Sequence, residues 1–430
     1  MRNVKIFSFM TAVSIAFSVP ASATTLDPVT GNRVQNMYVN DAEPDHLDTL
    51  DLDTVLERAM NNTYNLNLLL LKAAAQDSKQ KDLDQQRADM PGVSVPSGHL
   101  PATPAEIASV PGMPVLDPAV APWIIMTNTG VNQLTGGAGQ LAGGMGQILS
   151  AQRNQMKETA HQLGTDRDNT YLQSDEAKAG VRLQLTGQYV QLLAQSKQIE
   201  FMNSYKAVLE KELLRTTLLQ EQGLASADDV QNVVRAMNKH KDDLTMLTNN
   251  HRLALAQLCL DIGVAYDPAI VLKEIGDIPV EPVMRDDTIE LLKNSYGMKI
   301  AANNIDEAVW QQQYSVTKTT YGETYLGVNG AISMQKNNQA RLELTKKIET
   351  AYNELENAYQ ACLAEKRGLN ELKQDLAKME SRYEAGVISK HDVHKFALKV
   401  QQSETSTYAA KMRYYVLLQK VKEMKAGAIL

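Results

Sequence analysis

The chain has 430 residues, a formal net charge of −7 and an aromatic content of 5%. An acidic chain of this kind lacks the clustered Lys and Arg that binding to nucleic acid requires, so no nucleic-acid partner is expected. Helical stretches filled with Gln, Asn, Lys and Glu are typical of long helices with narrow apolar seams, and compact globular enzymes usually differ from this composition.

The first 23 residues have the three parts of a secretory signal. Arg2 and Lys5 precede an apolar run over residues 6–19, and the small residues that follow predict cleavage after Ala23. The apolar run is shorter than the about 20 residues of a membrane-spanning helix. The sequence therefore predicts an exported protein, and it predicts an acidic leader over residues 24–48.

Helical periodicity begins after this leader and stops where the composition changes. The pattern predicts helix over residues 52–88. Eight of the chain's 14 prolines then lie within residues 91–122, and the glycine-rich stretch LTGGAGQLAGGMGQ follows at 134–147. Proline at this density is incompatible with a continuous helix or a central strand. We therefore predict a non-helical excursion over residues 90–150 and a return to helix over residues 148–219.

Two later stretches have the pattern of a coiled-coil seam. Apolar residues recur at alternating spacings of three and four over residues 230–258, and again over residues 348–383. His240 and His251 lie in the first seam. We interpret both as structural, because no third ligand at helical spacing completes a metal site.

The two cysteines, Cys259 and Cys362, lie on apolar helix faces. Export into an oxidising compartment permits a disulfide between them. Their apolar positions favour buried free thiols instead, so the sequence leaves both states open.

The remaining pattern predicts two more helices and a second excursion. Helix is predicted over residues 287–313 and 390–424. Between the first of these and the second seam, residues 314–340 look irregular or extended, with room for two short strands around Gly327 or Gly330. In the first excursion, only residues 123–134 come close to the alternation of a strand.

The chain contains two copies of one unit. QEQGLASADDV at 220–230 aligns with YEAGVISKHDV at 383–393, so that Gly223 falls on Gly386. Earlier in the chain, Asn-x-Tyr at residue 62 aligns with Asn-x-Tyr at residue 294. The larger offset there reflects the proline- and glycine-rich excursion of the first half. Repetition on this scale indicates a structure built by symmetry rather than around one compact core.

Each turn motif has the residues of a tight turn between two helices. Glycine accepts the left-handed conformation that ends a helix. The serine three positions later is a good N-cap, and an acidic residue three positions further on completes a capping box. These residues are Gly223, Ser226 and Asp229 in the first turn and Gly386, Ser389 and Asp392 in the second.

With these motifs, the chain resembles the TolC family of outer-membrane efflux proteins. The segments QGLASADDVQNVVRA at 222–236 and RYEAGVISKHDV at 382–393 carry the resemblance, supported by the paired helix starts, the signal and the repeat. The similarity covers about residues 50–85, 178–263 and 286–427.

The resemblance implies a mainly α fold. Long antiparallel coiled-coil hairpins in two structural repeats would form the α-barrel of a homotrimer, with a β-barrel in the outer membrane. Because strand alternation is weak in both excursions, we expect this β-barrel to be small or reduced. The implied domains are the first repeat at 49–265, a connector at 266–285 and the second repeat at 286–430.

The resemblance also implies a function without chemistry. The chain would be the outer-membrane exit duct of a tripartite efflux or type I secretion system, with a periplasmic adaptor (membrane fusion) protein and an inner-membrane pump as partners. We expect no enzyme activity and no cofactor, since the sequence shows neither a Ser-His-Asp order nor a phosphate loop. The alternative is a barrel-poor periplasmic coiled-coil scaffold or adaptor-like protein with no conducting pore.

Family positions can be carried over to the turns residue by residue. Gly223, Ser226, Gly386 and Ser389 correspond to the periplasmic tip where adaptors dock, and Asp229, Tyr383 and Asp392 to the gate and pore constriction. Ile388 and Lys395 depart from the family pattern, because TolC has an arginine and an aspartate there. The resemblance therefore implies a gate at this end of the molecule that closes through other contacts.

Overall fold

A computed structural model of the protein describes residues 45–62, 64–94, 98–110, 121–315 and 319–430. The predicted signal and most of the predicted acidic leader lie outside these residues. The elements in chain order are β1 (Thr49–Leu50), α1 (Leu52–Asn62), α2 (Tyr64–Asp89), α3 (Pro104–Ala108), α4 (Ala121–Glu221), α5 (Ala227–Asp261), β2 (Val271–Leu272), α6 (Thr288–Asn294), α7 (Tyr296–Tyr314), α8 (Thr320–Glu384) and α9 (Lys390–Lys425).

The helix boundaries follow the repeat predicted from the sequence. Helices α1 and α6 end at Asn62 and Asn294, and α2 and α7 begin at Tyr64 and Tyr296. Each half then continues into one long hairpin, formed by α4 and α5 in the first half and by α8 and α9 in the second. The predicted architecture of long antiparallel helical hairpins in two repeats is confirmed.

The two hairpins lie side by side through α4 and α9. Arg182 of α4 makes a bidentate contact with Glu423 of α9, at 2.8 and 2.7 Å. At the other end of the same contact, Lys395 of α9 donates a hydrogen bond to Glu212 of α4. The stretch of α4 from 182 to 212 spans about 45 Å at the rise of an α-helix. Arg182 contacts Glu423 and Glu212 contacts Lys395, so residue numbers fall along α9 as they rise along α4. The two helices are therefore antiparallel over this length.

Two apolar clusters lie where the hairpins meet the short helices. The first half buries Tyr189, Leu192 and Leu258, and the second half buries Ile348 and Leu355. Both cysteines are buried and free, one in each cluster. The open question about a disulfide is therefore answered in favour of free thiols.

The connection between the two halves is held by the described strands, β1 and β2. They pair in parallel, with Thr49 opposite Val271 and Leu50 opposite Leu272. The Tyr189 hydroxyl lies 2.9 Å from the Leu50 carbonyl and 2.6 Å from the Lys273 carbonyl. This one side chain therefore joins β1 to the linker that follows α5.

Both predicted excursions need correction. Residues 121–147 belong to α4, and residues 320–340 belong to α8. The prediction of extended or irregular backbone is therefore wrong for residues 121–147 and 320–340, whereas residues 90–94 and 98–103 are non-helical as predicted. Among the described residues, no helix has both the length and the apolarity that crossing a lipid bilayer requires.

The physical reason differs between the two segments. The prolines end at Pro122, in the first turn of α4, where proline is tolerated. The glycines that follow each cost a helix about 1 kcal/mol relative to alanine, which weakens it without breaking it. In the second segment, the spacing of Tyr321, Tyr325, Val328 and Ile332 is four, three and four. That spacing belongs to a helix face rather than to a strand.

Candidate functional site at the paired helix turns

The turn between α4 and α5 is closed by backbone and side-chain hydrogen bonds. Gly223 has a φ of +75°, and the amide of Leu224 donates to the Leu219 carbonyl at 2.8 Å. The amide of Ser226 donates to the Asp229 carboxylate at 2.9 Å, while the Asp229 amide donates back to the Ser226 hydroxyl at 3.2 Å. The sequence prediction of a left-handed glycine followed by a capping box is confirmed here.

The turn between α8 and α9 repeats this geometry. Gly386 has a φ of +73°, and the amide of Val387 donates to the Arg382 carbonyl at 2.9 Å. The amide of Ser389 donates to the Asp392 carboxylate at 3.3 Å, and the Asp392 amide donates to the Ser389 hydroxyl at 3.2 Å. The two turns are therefore the same structure placed at the ends of two hairpins.

The left-handed conformation of Gly386 leads to a prediction about stability. Gly386→Ala is expected to lower the free energy of unfolding by about 1 kcal/mol, because a Cβ is strained at positive φ. Gly368, inside α8, has open space around it, and Gly368→Ala should raise the free energy of unfolding by up to about 1 kcal/mol. Urea unfolding of the two variants at equal protein concentration checks these opposite signs, and equal effects would contradict the account of the turn.

Both turn carboxylates are occupied within their own turns. Hydrogen bonds from Ser226 lower the pKa of Asp229, and hydrogen bonds from Ser389 lower the pKa of Asp392. Both groups are fully exposed and ionised at neutral pH. Tyr383 is 42% exposed, one turn before Gly386. The gate and constriction roles carried over to these three residues stay predictions.

Apolar side chains at the two turns complete the exposed tip. Leu224 is 72% exposed and Val387 is 64% exposed, each directly after its glycine. Since the Schellman-type turn fixes the backbone at both positions, these side chains are presented on a rigid support. The tip therefore combines two exposed apolar side chains with two exposed carboxylates.

Behind the turns, one carboxylate joins the two hairpins. Glu212 of α4 accepts a hydrogen bond from Lys395 of α9 at 2.7 Å. His391 of α9 approaches the other Glu212 oxygen at 2.5 Å, an ion-pair distance without the angle of a hydrogen bond. Arg215, one turn along α4, lies 3.7 Å from the same carboxylate. We call Glu212, Arg215, His391 and Lys395 the hairpin lock.

The protonation of the hairpin lock is set by burial and by its own charges. Burial opposes ionisation of Glu212, but the hydrogen bond from Lys395 and the nearby positive charges outweigh it, and the pKa of Glu212 is lowered. Burial also lowers the pKa of His391. The attraction of Glu212 works against this shift, while the positive charges of Lys395 and Arg215 reinforce it. The contacts of the hairpin lock therefore favour an ionised Glu212 and a neutral His391 at neutral pH.

The hairpin lock leads to a prediction about how stability depends on pH. Because the pKa of His391 is lowered in the folded state, protonating this residue costs folding free energy. The protein should therefore lose stability as the pH falls below 6.5, the ordinary pKa of histidine. Glu212 adds a further loss below 4.5. His391→Gln should therefore lose less stability than the wild type between pH 7.5 and 5.5, measured by urea unfolding. His394→Gln removes the other histidine on the same turn of α9 and serves as the control. Equal pH dependence of all three proteins would contradict this account.

A second polar contact joins α4 to α7. The His161 ring stacks on Trp310 with centroids 3.9 Å apart, and its Nδ1 lies 2.6 Å from the Glu307 carboxylate. Thr165 donates to the same carboxylate at 2.9 Å. Trp310 therefore packs against another helix of its own chain. Trp123, by contrast, is 65% exposed.

The seam histidines have different surroundings. His240 is buried, its Nε2 lies 2.9 Å from the Met202 carbonyl, and its ring meets Tyr205 edge-on. Burial lowers the pKa of His251. Within the described residues, no group of three His, Cys, Asp or Glu side chains could hold a metal ion. The contacts of His240 with Met202 and Tyr205 are packing contacts between α4 and α5.

Sequence reasoning missed Glu212 and the hairpin lock. In the sequence, Glu212 and Arg215 look like an ordinary ion pair along one helix. Their partners on α9 belong to the other half of the chain, and only the side-by-side arrangement of α4 and α9 brings the four residues together. His391 and His394 stand out as a pair in the sequence, but nothing there assigns a partner to either of them.

No protein-family model matches the sequence, and no curated protein matches it. Solved structures do match. The outer-membrane channel OprN is similar with a TM-score of 0.60 and 11% identity, over 88% of this chain and 90% of that one. The outer membrane protein VceC of Vibrio cholerae is similar with a TM-score of 0.54 and 10% identity, over 88% and 97%. The CmeC outer membrane channel of Campylobacter jejuni gives 0.53 and 9%, over 96% and 94%.

The chain has the fold of outer-membrane channel proteins. This likeness extends over most of both chains, so it includes the two hairpins and the short helices that precede them. Within the channel fold, the duplicated turns are the far ends of the long hairpins, and the hairpin lock lies directly behind them. The fold predicted from the resemblance is therefore confirmed, although the sequence identity to OprN is only 11%.

Proposed function

We propose that the protein is an outer-membrane exit duct that passes its cargo passively through a tunnel of helices. The observation that carries this proposal is the channel fold, which covers 88% of the chain in the likeness to OprN. The proposal includes no catalytic step, no cofactor and no metal. Its mechanism is the opening and closing of the hairpin ends.

The proposed assembly is a homotrimer of the type implied by the TolC resemblance. A single chain leaves apolar side chains of the first hairpin exposed, including Leu218, Met246, Leu253 and Leu260. Large exposed apolar surfaces mark interaction sites. Neighbouring copies would cover them by packing hairpin against hairpin around a common axis.

The proposed partners are a periplasmic adaptor and an inner-membrane pump of a tripartite efflux or type I secretion system. The adaptor would dock at the tip, where Gly223, Ser226, Gly386 and Ser389 shape the turns. The exposed Leu224 and Val387 supply apolar contact there. The end of the molecule opposite the two turns would lie in the outer membrane.

The proposed gate lies at the same end of the molecule. Asp229, Tyr383 and Asp392 would face the constriction, as the resemblance implies. The hairpin lock ties the two hairpins of one chain together, so any motion of one against the other must break the contacts of Glu212 with His391 and Lys395. This supports a gate that opens by separation of hairpins.

The experiment that tests this proposal is electrical recording in planar lipid bilayers. The oligomer purified from membranes is added to one side, and heat-denatured protein serves as the control. Discrete conductance steps are expected from the native oligomer alone. An oligomer of the expected mass that never conducts would overturn the proposal.

A second candidate function is a periplasmic coiled-coil scaffold without a conducting pore. The observation that favours it is the helical structure of residues 121–147 and 320–340, where the sequence left room only for weakly patterned strands. A scaffold would fractionate with soluble periplasmic proteins. The proposed duct would remain with the outer membrane after a wash in high salt.

A further inference from the structure

The beginning of α4 continues past the helices that pack against the rest of it. Helix α7 is antiparallel to α4, with Glu307 beside His161 and Asn304 beside Asn169. Helix α7 ends two turns beyond Glu307, at Tyr314, which corresponds to about residue 154 on α4. Residues 121–150 of α4 thus form an extension, and we call them the α4 extension.

The α4 extension carries a seven-residue repeat. The segments LTGGAGQ at 134–140 and LAGGMGQ at 141–147 differ at two positions only. Within them and on either side, a glycine and a large aliphatic residue alternate at spacings of four and three. These seam residues are Gly130, Leu134, Gly137, Leu141, Gly144 and Ile148. This is the seam of a coiled coil, in which all six lie on one helix face.

This seam has no partner within the described part of the chain. Leu134, Leu141 and Ile148 are 76%, 74% and 69% exposed. A Cβ placed on Gly137 or Gly144 would have nothing within 4 Å. The seam therefore presents large side chains next to open hollows of matching period, which makes it complementary to a copy of itself.

At residues 128–132, the face of the α4 extension opposite the seam contacts an earlier part of the chain. The amide group of Asn132 pairs with the backbone of Leu100, at 2.8 and 2.7 Å. Asn128 donates to the Pro101 carbonyl at 2.7 Å. Leu100 and Pro101 thus contact the side of the helix that faces away from the seam.

The charge of the α4 extension fits an identical partner. Residues 118–152 contain no Asp, Glu, Lys or Arg. The positions that flank the aliphatic seam residues, Gln133, Gln140 and Gln147, are uncharged and identical. Charges at such positions normally select or reject a partner helix, so nothing in this segment repels a second copy. Glycine is also a poor helix former, so packing against further helices would stabilise this segment.

We propose that the α4 extensions of neighbouring copies pack together as a parallel coiled coil. Equivalent aliphatic residues of the copies would then meet in shared layers, and the glycine layers between them would let the helices approach closely. This rests on the proposed assembly of several copies. It adds a second, separate contact between them, beyond the end of α7 and remote from the turns.

Cysteine cross-linking in the full-length oligomer tests this coiled coil. Ile148→Cys places a thiol on the seam, and Ser150→Cys places one two residues away on the opposite, exposed face. Copies related by rotation bring equivalent seam residues together, so Ile148→Cys should form inter-chain disulfides at least tenfold faster than Ser150→Cys. The wild type, whose two thiols are buried, gives the background. Leu141→Cys repeats the test one heptad away if the first variant does not fold.

The possible outcomes separate this inference from the proposed function. Fast cross-linking of Ile148→Cys within an oligomer supports the coiled coil. An oligomer in which both variants cross-link equally slowly overturns the coiled coil alone, and a duct assembled by the long hairpins would survive. A chain that is monomeric by light scattering overturns both. Slow cross-linking together with protection of the Ile148→Cys thiol only in the presence of lipid vesicles would assign the seam to lipid and also overturn the inference.

Discussion

Tyr189→Phe is expected to lower the free energy of unfolding by about 2 kcal/mol. The Tyr189 side chain is fully buried, and its hydroxyl is within hydrogen-bonding distance of the carbonyls of Leu50 and Lys273. Removing the hydroxyl takes this donor from the Lys273 carbonyl and leaves the Leu50 carbonyl with the Lys273 amide as its donor, a loss that costs about 1–3 kcal/mol. Burial is also the main reason why the pKa of Tyr189 is raised, so the hydroxyl stays a donor across the usable pH range.

The matched control is the equivalent tyrosine of the second half. Tyr352 is also buried, but its hydroxyl contacts the amide and the solvent-exposed carboxylate of Asp286, at 3.1 and 3.2 Å. That carboxylate has a further partner in Lys425, so Tyr352→Phe should cost less than about 1 kcal/mol. Urea unfolding at fixed protein concentration measures both variants. A larger effect at Tyr352 than at Tyr189 would contradict the role assigned to Tyr189 in holding the strands.

Glu212→Lys is expected to have the second large effect, a loss of about 2 kcal/mol in the free energy of unfolding. The change places a cation next to His391, Lys395 and Arg215 and removes the contact that joins α4 to α9. Breaking a fully buried ion pair costs about 3–5 kcal/mol. The expected loss is smaller because Lys395 is about half exposed to solvent.

A charge exchange separates the pairing from a general effect of the mutation. The double variant Glu212→Lys with Lys395→Glu restores opposite charges across the same gap. It should recover at least half of the stability lost in the single variant, as measured in a double-mutant cycle. As a control on the exposed side of the same region, Glu210→Lys removes only a surface pair with Lys206 and should change stability by less than about 1 kcal/mol. Equal losses in the single and double variants would contradict the lock.

The turns were predictable from the sequence because their chemistry is local. A left-handed glycine, a serine N-cap and an acidic third residue act within a few positions of one another, and Gly223, Ser226 and Asp229 behave as this pattern predicts. The repeat was visible for the same reason, since each half carries the same local signals. Helix ends at Asn62 and Asn294 follow it closely.

The α4 extension was mispredicted because two signals conflicted. Its glycines lower helix propensity, and the prolines before it suggested that the irregular backbone continues. The seven-residue spacing of Leu134, Leu141 and Ile148 indicates a helix, and it outweighs the glycines when it persists over several turns. A pattern of longer period was therefore the better guide than local composition.

The hairpin lock could not be predicted because it is a tertiary contact. Glu212, His391 and Lys395 come together only when two hairpins lie side by side, and no alignment of their separate sequences shows that. The same holds for His161 and Glu307, which meet across α4 and α7. Pairings of this kind depend on the packing of whole helices.

The most direct test of the proposed duct is single-channel recording from the purified oligomer in a planar bilayer. The account predicts discrete conductance steps. It also predicts that Glu212→Lys raises the fraction of time spent open, because the contact that ties the two hairpins is lost. A stable oligomer that gives no steps, in the wild type and in Glu212→Lys alike, would contradict the central claim that this fold serves here as a channel.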